Sequence, residues 1–331
     1  MKQQRTKTGM KQRFFFALAM LMIFSLTLTG QTYTYRYING WPKDVNERLQ
    51  SFLNSTITMK ERKVAAFDCD GTLFGQTPYY LADEALYSYA KTHYEGKTDA
   101  NSVEKMKIVD ELLHGDNVGL PYVKNRIKFL AGLTDDEVRR MGEDVFHEKY
   151  QTKFYPEMKE LLANLKDYNF EVWVITASPE LLYEQFVSEE LGIPNDRILG
   201  VKSWITSEGT VTDQLIFPVP QDEGKADVIR TFIKTKPLLI GGNSRGDMEM
   251  MNEGYAMKLM VNPDNSKIEG ESGGQMKGNT AKGYWEKDPM ALIVYCDDQP
   301  EPDYRNRSIQ YKYVTQEYGV KANKTNIKPT K

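Results

Sequence analysis

Val64-Ala65-Ala66-Phe67-Asp68-Cys69-Asp70-Gly71-Thr72-Leu73 begins as four apolar residues and turns abruptly polar at Asp68. A short apolar run bounded by a turn signal predicts a buried strand, and Asp70-Gly71 predicts the tight turn that ends it. A carboxylate leaving a buried strand is costly unless something uses it. Two carboxylates spaced i, i+2 across a glycine turn can divide covalent catalysis between them. One attacks phosphorus; the other gives a proton to the leaving group and then takes one from water. Their shared negative charge calls for a hard cation, with magnesium the natural choice beside a phosphate. Taken alone, the same residues also fit a plain Asp-Gly turn joining strand to helix.

On the C-terminal side of this strand, from Pro78 to Tyr150, the pattern turns helical. Leu81, Ala85, Leu86 and Tyr89 recur at helical spacing, as do Met106, Val109, Leu112 and Leu113. Thr134-Asp135-Asp136-Glu137 predicts a capping box that opens a helix over 135–150. Such a block after the first strand reads as an inserted helical cap over 78–150. After Tyr155-Pro156 strands and helices alternate. A helix to Asp167 leads to a strand at Phe170–Ile175, then to a helix with Ser178 as N-cap and Pro179 as its first residue, ending near Leu191-Gly192. Ile198–Val201 is a further strand, and Trp204–Phe217, with Glu208-Gly209 at its middle, predicts a hairpin. Ala226–Thr235 is helical; Leu238–Ile240, Tyr255–Val261 and Ala291–Cys296 are strands. This alternation implies an α/β fold with a Rossmann-like parallel sheet core at 61–77 and 151–298. On the N-terminal side, 31–60 is a lead-in with an amphipathic helix around Asp44–Leu53.

Open parallel sheets bind ligands at the carboxyl ends of their strands. Three more features stand at or near such ends. Thr176 ends the strand Val172-Trp173-Val174-Ile175, where a hydroxyl and the amides of a following helix make a phosphate-binding corner. Lys225 opens a helix in Gly224-Lys225-Ala226-Asp227. Gly241-Gly242-Asn243-Ser244-Arg245-Gly246-Asp247 follows another strand, and Asn243 and Asp247 supply oxygen ligands or acceptors for a cation. Each has an ordinary reading as a cap, a solvated lysine or a glycine turn.

In this order the four motifs resemble the haloacid-dehalogenase (HAD) superfamily over roughly residues 62–262. The resemblance implies that Asp68 is the nucleophile and Asp70 the general acid/base. Thr176 and Lys225 match the phosphoryl-binding hydroxyl and lysine, and the last motif completes a magnesium site of Asp68, Asp70, Asn243 and Asp247. The insertion after the first motif corresponds to a helical cap of the C1 type. Retention of an Asp at position 70 points to a phosphatase or a sugar-phosphate mutase within the family. Asn125-Arg126-Ile127-Lys128-Phe129-Leu130-Ala131-Gly132-Leu133-Thr134 is similar to the phosphoserine-phosphatase-type subgroup, in which the arginine matching Arg126 contacts the substrate's carboxylate.

Two departures stand out. Thr77 occupies the place of that subgroup's amine-binding Glu, and Asn243 replaces the metal-binding Asp, with Arg245 close by. Exported members of the subgroup include phosphocholine phosphatases, and Tyr79, Tyr80, Tyr87, Tyr89 and Tyr94 with Glu84 would suit a quaternary ammonium, or else pack the cap. His93, His114 and His147 show no metal-ligand spacing and read as surface or packing residues.

The first 13 residues carry Lys2, Arg5, Lys7, Lys11 and Arg13 and no acid, and run into the uncharged Phe14–Leu28. A basic start followed by 15 such residues is the arrangement of a signal peptide over 1–30. An uncleaved membrane anchor at 14–28 is the alternative, although a bilayer span needs roughly 20 residues. The implied location is periplasmic or secreted, with contact to a membrane only through an uncleaved segment. The whole chain has a net charge of −3, so nothing in it suggests nucleic acid as a partner, and without the five basic residues 38 basic stand against 46 acidic, giving an acidic body of net charge −8. Cys69 and Cys296 are the two cysteines, and Cys69, inside the first motif, reads as a free thiol. From 299 to 331 the chain is polar and predicts a disordered tail.

The function expected is that of an exported, magnesium-dependent phosphomonoesterase acting on a small phosphorylated metabolite through a phosphoaspartate on Asp68. A non-catalytic phosphate-ligand-binding homologue and a phosphotransferase are the alternatives.

Overall fold

The computed structural model describes residues 33–77, 79–115, 119–263, 276, 279–298 and 308. The N-terminal segment expected to be a signal peptide or anchor lies outside them, as does the expected tail apart from Ser308. Among the described residues no helix is long and apolar enough to cross a membrane.

Helix α1 (Lys43–Ser55) realises the amphipathic lead-in by burying Val45, Leu49 and Leu53. Asn46 on the same face ties the chain before it. Its Oδ1 accepts from the Tyr35 hydroxyl (2.7 Å) and the Ile38 amide (2.8 Å), and its Nδ2 donates to the Ile38 carbonyl (3.1 Å).

Strand β1 (Val64–Phe67) follows, then helices α2 (Leu81–His93), α3 (Ala100–His114), α4 (Gly119–Leu130) and α5 (Asp135–Val145), the last running into a π turn to Tyr150. The Thr134 capping box forms as expected. The second half is α6 (Pro156–Asp167), β2 (Glu171–Pro179), α7 (Glu180–Leu191), β3 (Ile198–Ile205), β4 (Val211–Ile216), α8 (Glu223–Val228), β5 (Leu239–Gly242), α9 (Met248–Asn252), β6 (Met257–Val261), α10 (Ala281–Trp285) and β7 (Ala291–Val294).

The seven strands form one sheet in the order β4-β3-β2-β1-β5-β6-β7. All neighbours are parallel except β3 and β4, which pair antiparallel as the expected hairpin. The Ile198–Val201 strand and the hairpin's first arm are a single strand, β3, because Lys202 and Ser203 carry its pairing into the hairpin. Every residue of β1, β5 and β6 is buried, as a sheet covered on both faces requires. From β1 the chain moves outward through β2, β3 and β4, then returns to the other side of β1 as β5. The strand order therefore reverses beside β1, the place where open α/β sheets leave a crevice at their carboxyl ends.

The helical insertion is pressed onto the sheet layer by α5 against α7. Gly142 of α5 permits this: a Cβ there would lie 1.9 Å from the Leu182 carbonyl oxygen. Phe146 and Phe186 stack at 4.7 Å across the same seam, and Phe74, just past the first motif, meets Phe154 at 4.9 Å. Helix propensity alone favours alanine over glycine by about 1 kcal/mol, whereas overpacking costs about 1–3 kcal/mol and more against backbone. Gly142→Ala is therefore expected to lower the urea midpoint; a variant more stable than wild type would contradict the close approach.

The helix after β2 differs from expectation. The strand continues through Pro179, which takes the cap position with no side-chain cap bond. Ser178 does not cap because its hydroxyl is committed to Asp70. Ser308 is buried and its hydroxyl donates to Glu84 Oε2 at 3.0 Å.

Candidate active site

The carboxyl ends of β1, β2 and β5 converge. Asp68 follows β1 directly and is 4% exposed. Its Oδ1 lies 2.6 Å from Lys225 Nζ, and its Oδ2 accepts from the Thr72 hydroxyl at 3.0 Å. Lys225, on α8, reaches equally to Asp247 Oδ1 at 2.6 Å. The other Asp247 oxygen accepts from the amides of Asn243 (2.9 Å) and Ser244 (3.0 Å). Asp247 thus closes the turn after β5 and holds the lysine at once.

Asp70 is turned the other way. Its Oδ1 accepts from the Tyr183 hydroxyl (2.8 Å) and its Oδ2 from the Ser178 hydroxyl (2.9 Å), with Thr176 Oγ1 at 3.4 Å. Between the two aspartates Gly71 adopts φ +83°, and a Cβ there would lie 2.0 Å from Asn243 Nδ2. The glycine therefore both permits the turn and admits the Asn243 amide against it.

Burial raises the Asp68 carboxyl to about 7, with the Asp247 and Asp70 charges pushing in the same direction and Lys225 opposing. Burial also raises Asp70, against the bonds from Tyr183 and Ser178 and the charge of Arg126. Burial alone would discharge Lys225, yet Asp247 and then Asp68 hold it well above its ordinary value. The Cys69 thiol is pushed up by burial and by the Asp70 and Asp68 charges. It is free, as expected, and kept as an unreactive thiol.

Three buried carboxyls thus share the crevice, two of them on the Lys225 ammonium and the third on hydroxyls, before any phosphate adds its own charge. This deficit, and donors that are all oxygen, fit a hard dication. Among the described residues no group of three or more His, Cys, Asp or Glu side chains could hold a metal by itself. Backbone carbonyls, the Asn243 amide and water would have to complete its shell. Arg245 does not oppose a cation: its guanidinium forks onto Glu249, both nitrogens at 2.9 Å.

All seven residues singled out from the sequence are therefore at or beside the crevice. Arg126 is buried on α4, which packs against β2, and it arrives already paired with Asp83 of α2, both contacts to Asp83 Oδ1 being 2.9 Å. Thr77 donates to Asp298 Oδ2 at 2.8 Å, and the amides of Gln76 and Thr77 do so at 3.1 Å. Asp298 also pairs with Lys153. This brace on the loop after the first motif comes from just beyond β7. The tyrosine and Glu84 grouping does not form a cation box. Glu84 is fully buried against Lys149 at 3.3 Å, Tyr89 stacks on His93 at 4.0 Å, and Tyr94 meets Phe129 edge-on at 5.9 Å. These side chains pack the insertion.

Ser178, Tyr183, Asp83 and Asp298 were not visible as site residues in the sequence. Ser178 carried a signal: it stands two residues after Thr176, on the same face of an extended strand.

The haloacid dehalogenase-like hydrolase model matches residues 65–252. The chain belongs to this family of hydrolases. Two solved structures share the fold. A conserved protein of unknown function from Anaerococcus prevotii DSM 20548 is 13% identical, covering 80% of this chain and 94% of its own, with a TM-score of 0.57. A protein of unknown function from Bordetella pertussis Tohama I is 14% identical, covering 62% and 92%, with a TM-score of 0.50. A phosphoserine phosphohydrolase-like protein from Francisella tularensis is 19% identical over 60% of this chain and 87% of its own, with a TM-score of 0.39. No curated protein matches the chain.

Proposed function

We propose that the protein is an exported, magnesium-dependent phosphomonoesterase that cleaves a small phosphorylated metabolite through a phosphoaspartate on Asp68. The observation that carries the reading is the division of the two carboxyls. Asp68 faces Lys225, and Asp70 faces a separate set of hydroxyls. The insertion at 78–150 is proposed as a cap over the core at 61–77 and 151–298, and residues 1–30 as the export signal.

An Asp68 carboxylate oxygen forms a bond to phosphorus as the bond to the leaving oxygen breaks. Asp70, whose burial favours its protonated form, delivers a proton to that oxygen. Lys225 and Thr176 hold the transferring group and offset the charge on its equatorial oxygens. Asp70, now a carboxylate, then takes a proton from water as the water attacks phosphorus and restores the Asp68 carboxylate. Asp68, the Asp70 backbone carbonyl, Asn243 and, through water, Asp247 would hold magnesium. When bound it would supply positive charge to the phosphate and lower the repulsion between phosphate and Asp68.

The test is phosphate release from a panel of small phosphomonoesters, with magnesium and with chelator. Magnesium-dependent release that the chelator abolishes is expected. Release indifferent to chelator would remove the cation from the account, and silence from a folded protein would favour a binding role. Asp70→Asn is expected to slow turnover about 10²- to 10⁴-fold, the usual contribution of a positioned acid/base. A steady-state rate within about threefold of wild type, well short of that contribution, would take the proton transfers away from Asp70.

A further inference from the structure

Arg126 is 3% exposed and Asp83 is 1% exposed. Besides the two contacts to Asp83 Oδ1, the pair is closed by Tyr122, whose hydroxyl donates to Asp83 Oδ2 and accepts from Arg126 Nη2. The Tyr122 ring lies 4.1 Å from the guanidinium carbon and the Tyr80 ring 5.6 Å. The cluster borders the side of the crevice that Asp70 serves. Helix α4, which carries Tyr122 and Arg126, packs against β2, the strand whose end presents Ser178 to Asp70. That is the side from which the leaving oxygen takes its proton, so the leaving alcohol must lie there.

A bare buried guanidinium in this position would be a fork for a second anion on the substrate. Here the fork is already occupied. A substrate carboxylate entering beside it would meet a neutral pair, and could claim Arg126 only by leaving Asp83 buried without its cation. Both alternatives are unfavourable: the first wastes the carboxylate's desolvation, and the second strands a charge. A leaving group with hydroxyls and no charge meets neither cost.

We infer that Asp83 is a specificity-determining residue: by neutralising Arg126 it makes the pocket select phosphomonoesters whose leaving alcohol carries no second anion over those bearing a carboxylate. The inference rests on the phosphomonoesterase reading and reverses the substrate-carboxylate contact that the family resemblance implies for Arg126.

Matched pairs test it: glycerol 3-phosphate against 3-phosphoglycerate, and ethyl phosphate against 2-phosphoglycolate, with kcat/KM measured on the full chain. Wild type is expected to favour the uncharged member of each pair at least about tenfold, since a carboxylate left without its counter-charge costs more than 1.4 kcal/mol. Asp83→Asn, which keeps the shape and frees the guanidinium, is expected to shift both ratios toward the carboxylate member by about tenfold or more, mainly through KM. Wild type that prefers the carboxylate members overturns the inference without any variant, and so does an unchanged ratio in folded Asp83→Asn. Failure of the underlying reading looks different: no phosphate appears from any of the four compounds, and the proposed selection has no reaction to act on.

Discussion

Asp68→Asn lowers turnover by at least about 10⁴-fold, the scale on which loss of a nucleophile is felt, and leaves the protein folded. The amide is isosteric and its oxygen can still accept from Thr72, but its nitrogen cannot attack phosphorus. Lys225 keeps Asp247 as its partner at 2.6 Å. The stability effect has a definite sign. In the cation-free protein the Asp68 carboxyl is raised from 3.8 to about 7 by burial and by the Asp247 charge. A carboxyl raised in the folded state contributes stability that is complete below its unfolded value and is lost as pH rises through the folded one. That loss falls between about pH 4 and pH 7, and asparagine does not suffer it. The variant should therefore gain stability relative to wild type across that window, followed by thermal unfolding at several pH values in chelator. A folded variant with wild-type turnover would remove Asp68 from the chemistry.

The second large effect is expected at Lys225. The residue is 5% exposed, and its ammonium bridges two buried carboxylates. Lys225→Met keeps the length of the side chain and deletes the charge. Asp68 and Asp247 are then left together without a cation, the situation in which breaking a buried ion pair costs about 3–5 kcal/mol. Turnover should fall a further way, by about 10²- to 10³-fold, as for loss of one group stabilising transition-state charge. The two readouts are a urea midpoint and kcat on the best substrate. An unchanged midpoint would mean that the lysine is not the counter-charge of the cluster.

The sequence carried the sheet and the catalytic pair because both are written locally. Val64–Phe67 announces a buried strand by composition, and Asp68 and Asp70 lie within three residues of its end. Lys225 is a different case. Alone it is an ordinary surface lysine, and only the order of the other motifs singled it out; in the fold it is buried because two carboxylates meet it from β1 and from the turn after β5. The partners that set the character of each group were not legible. Asp83 reaches Arg126 across 43 residues and Asp298 reaches Thr77 across 221, contacts that depend on how helices pack and not on any spacing. Ser178 was misread for a related reason. Ser-Pro after a strand is a sound helix-start signal, but the strand's own pairing to β3 runs on to Pro179 and leaves the serine facing Asp70. The Glu84 and tyrosine grouping left both a cation box and packing open, because a helix surface rich in tyrosine reads alike whether it lines a pocket or packs against its neighbours.

Chemical trapping of the covalent intermediate tests the central claim most directly. Enzyme quenched during turnover and treated with borohydride would have an aspartyl phosphate reduced to homoserine. Peptide mapping of the segment containing Val64–Leu73 should then find homoserine at position 68 with Asp70 intact, only when substrate and magnesium are both present. Turnover without any reduced residue at 68, or with the modification at another carboxylate, would contradict the account.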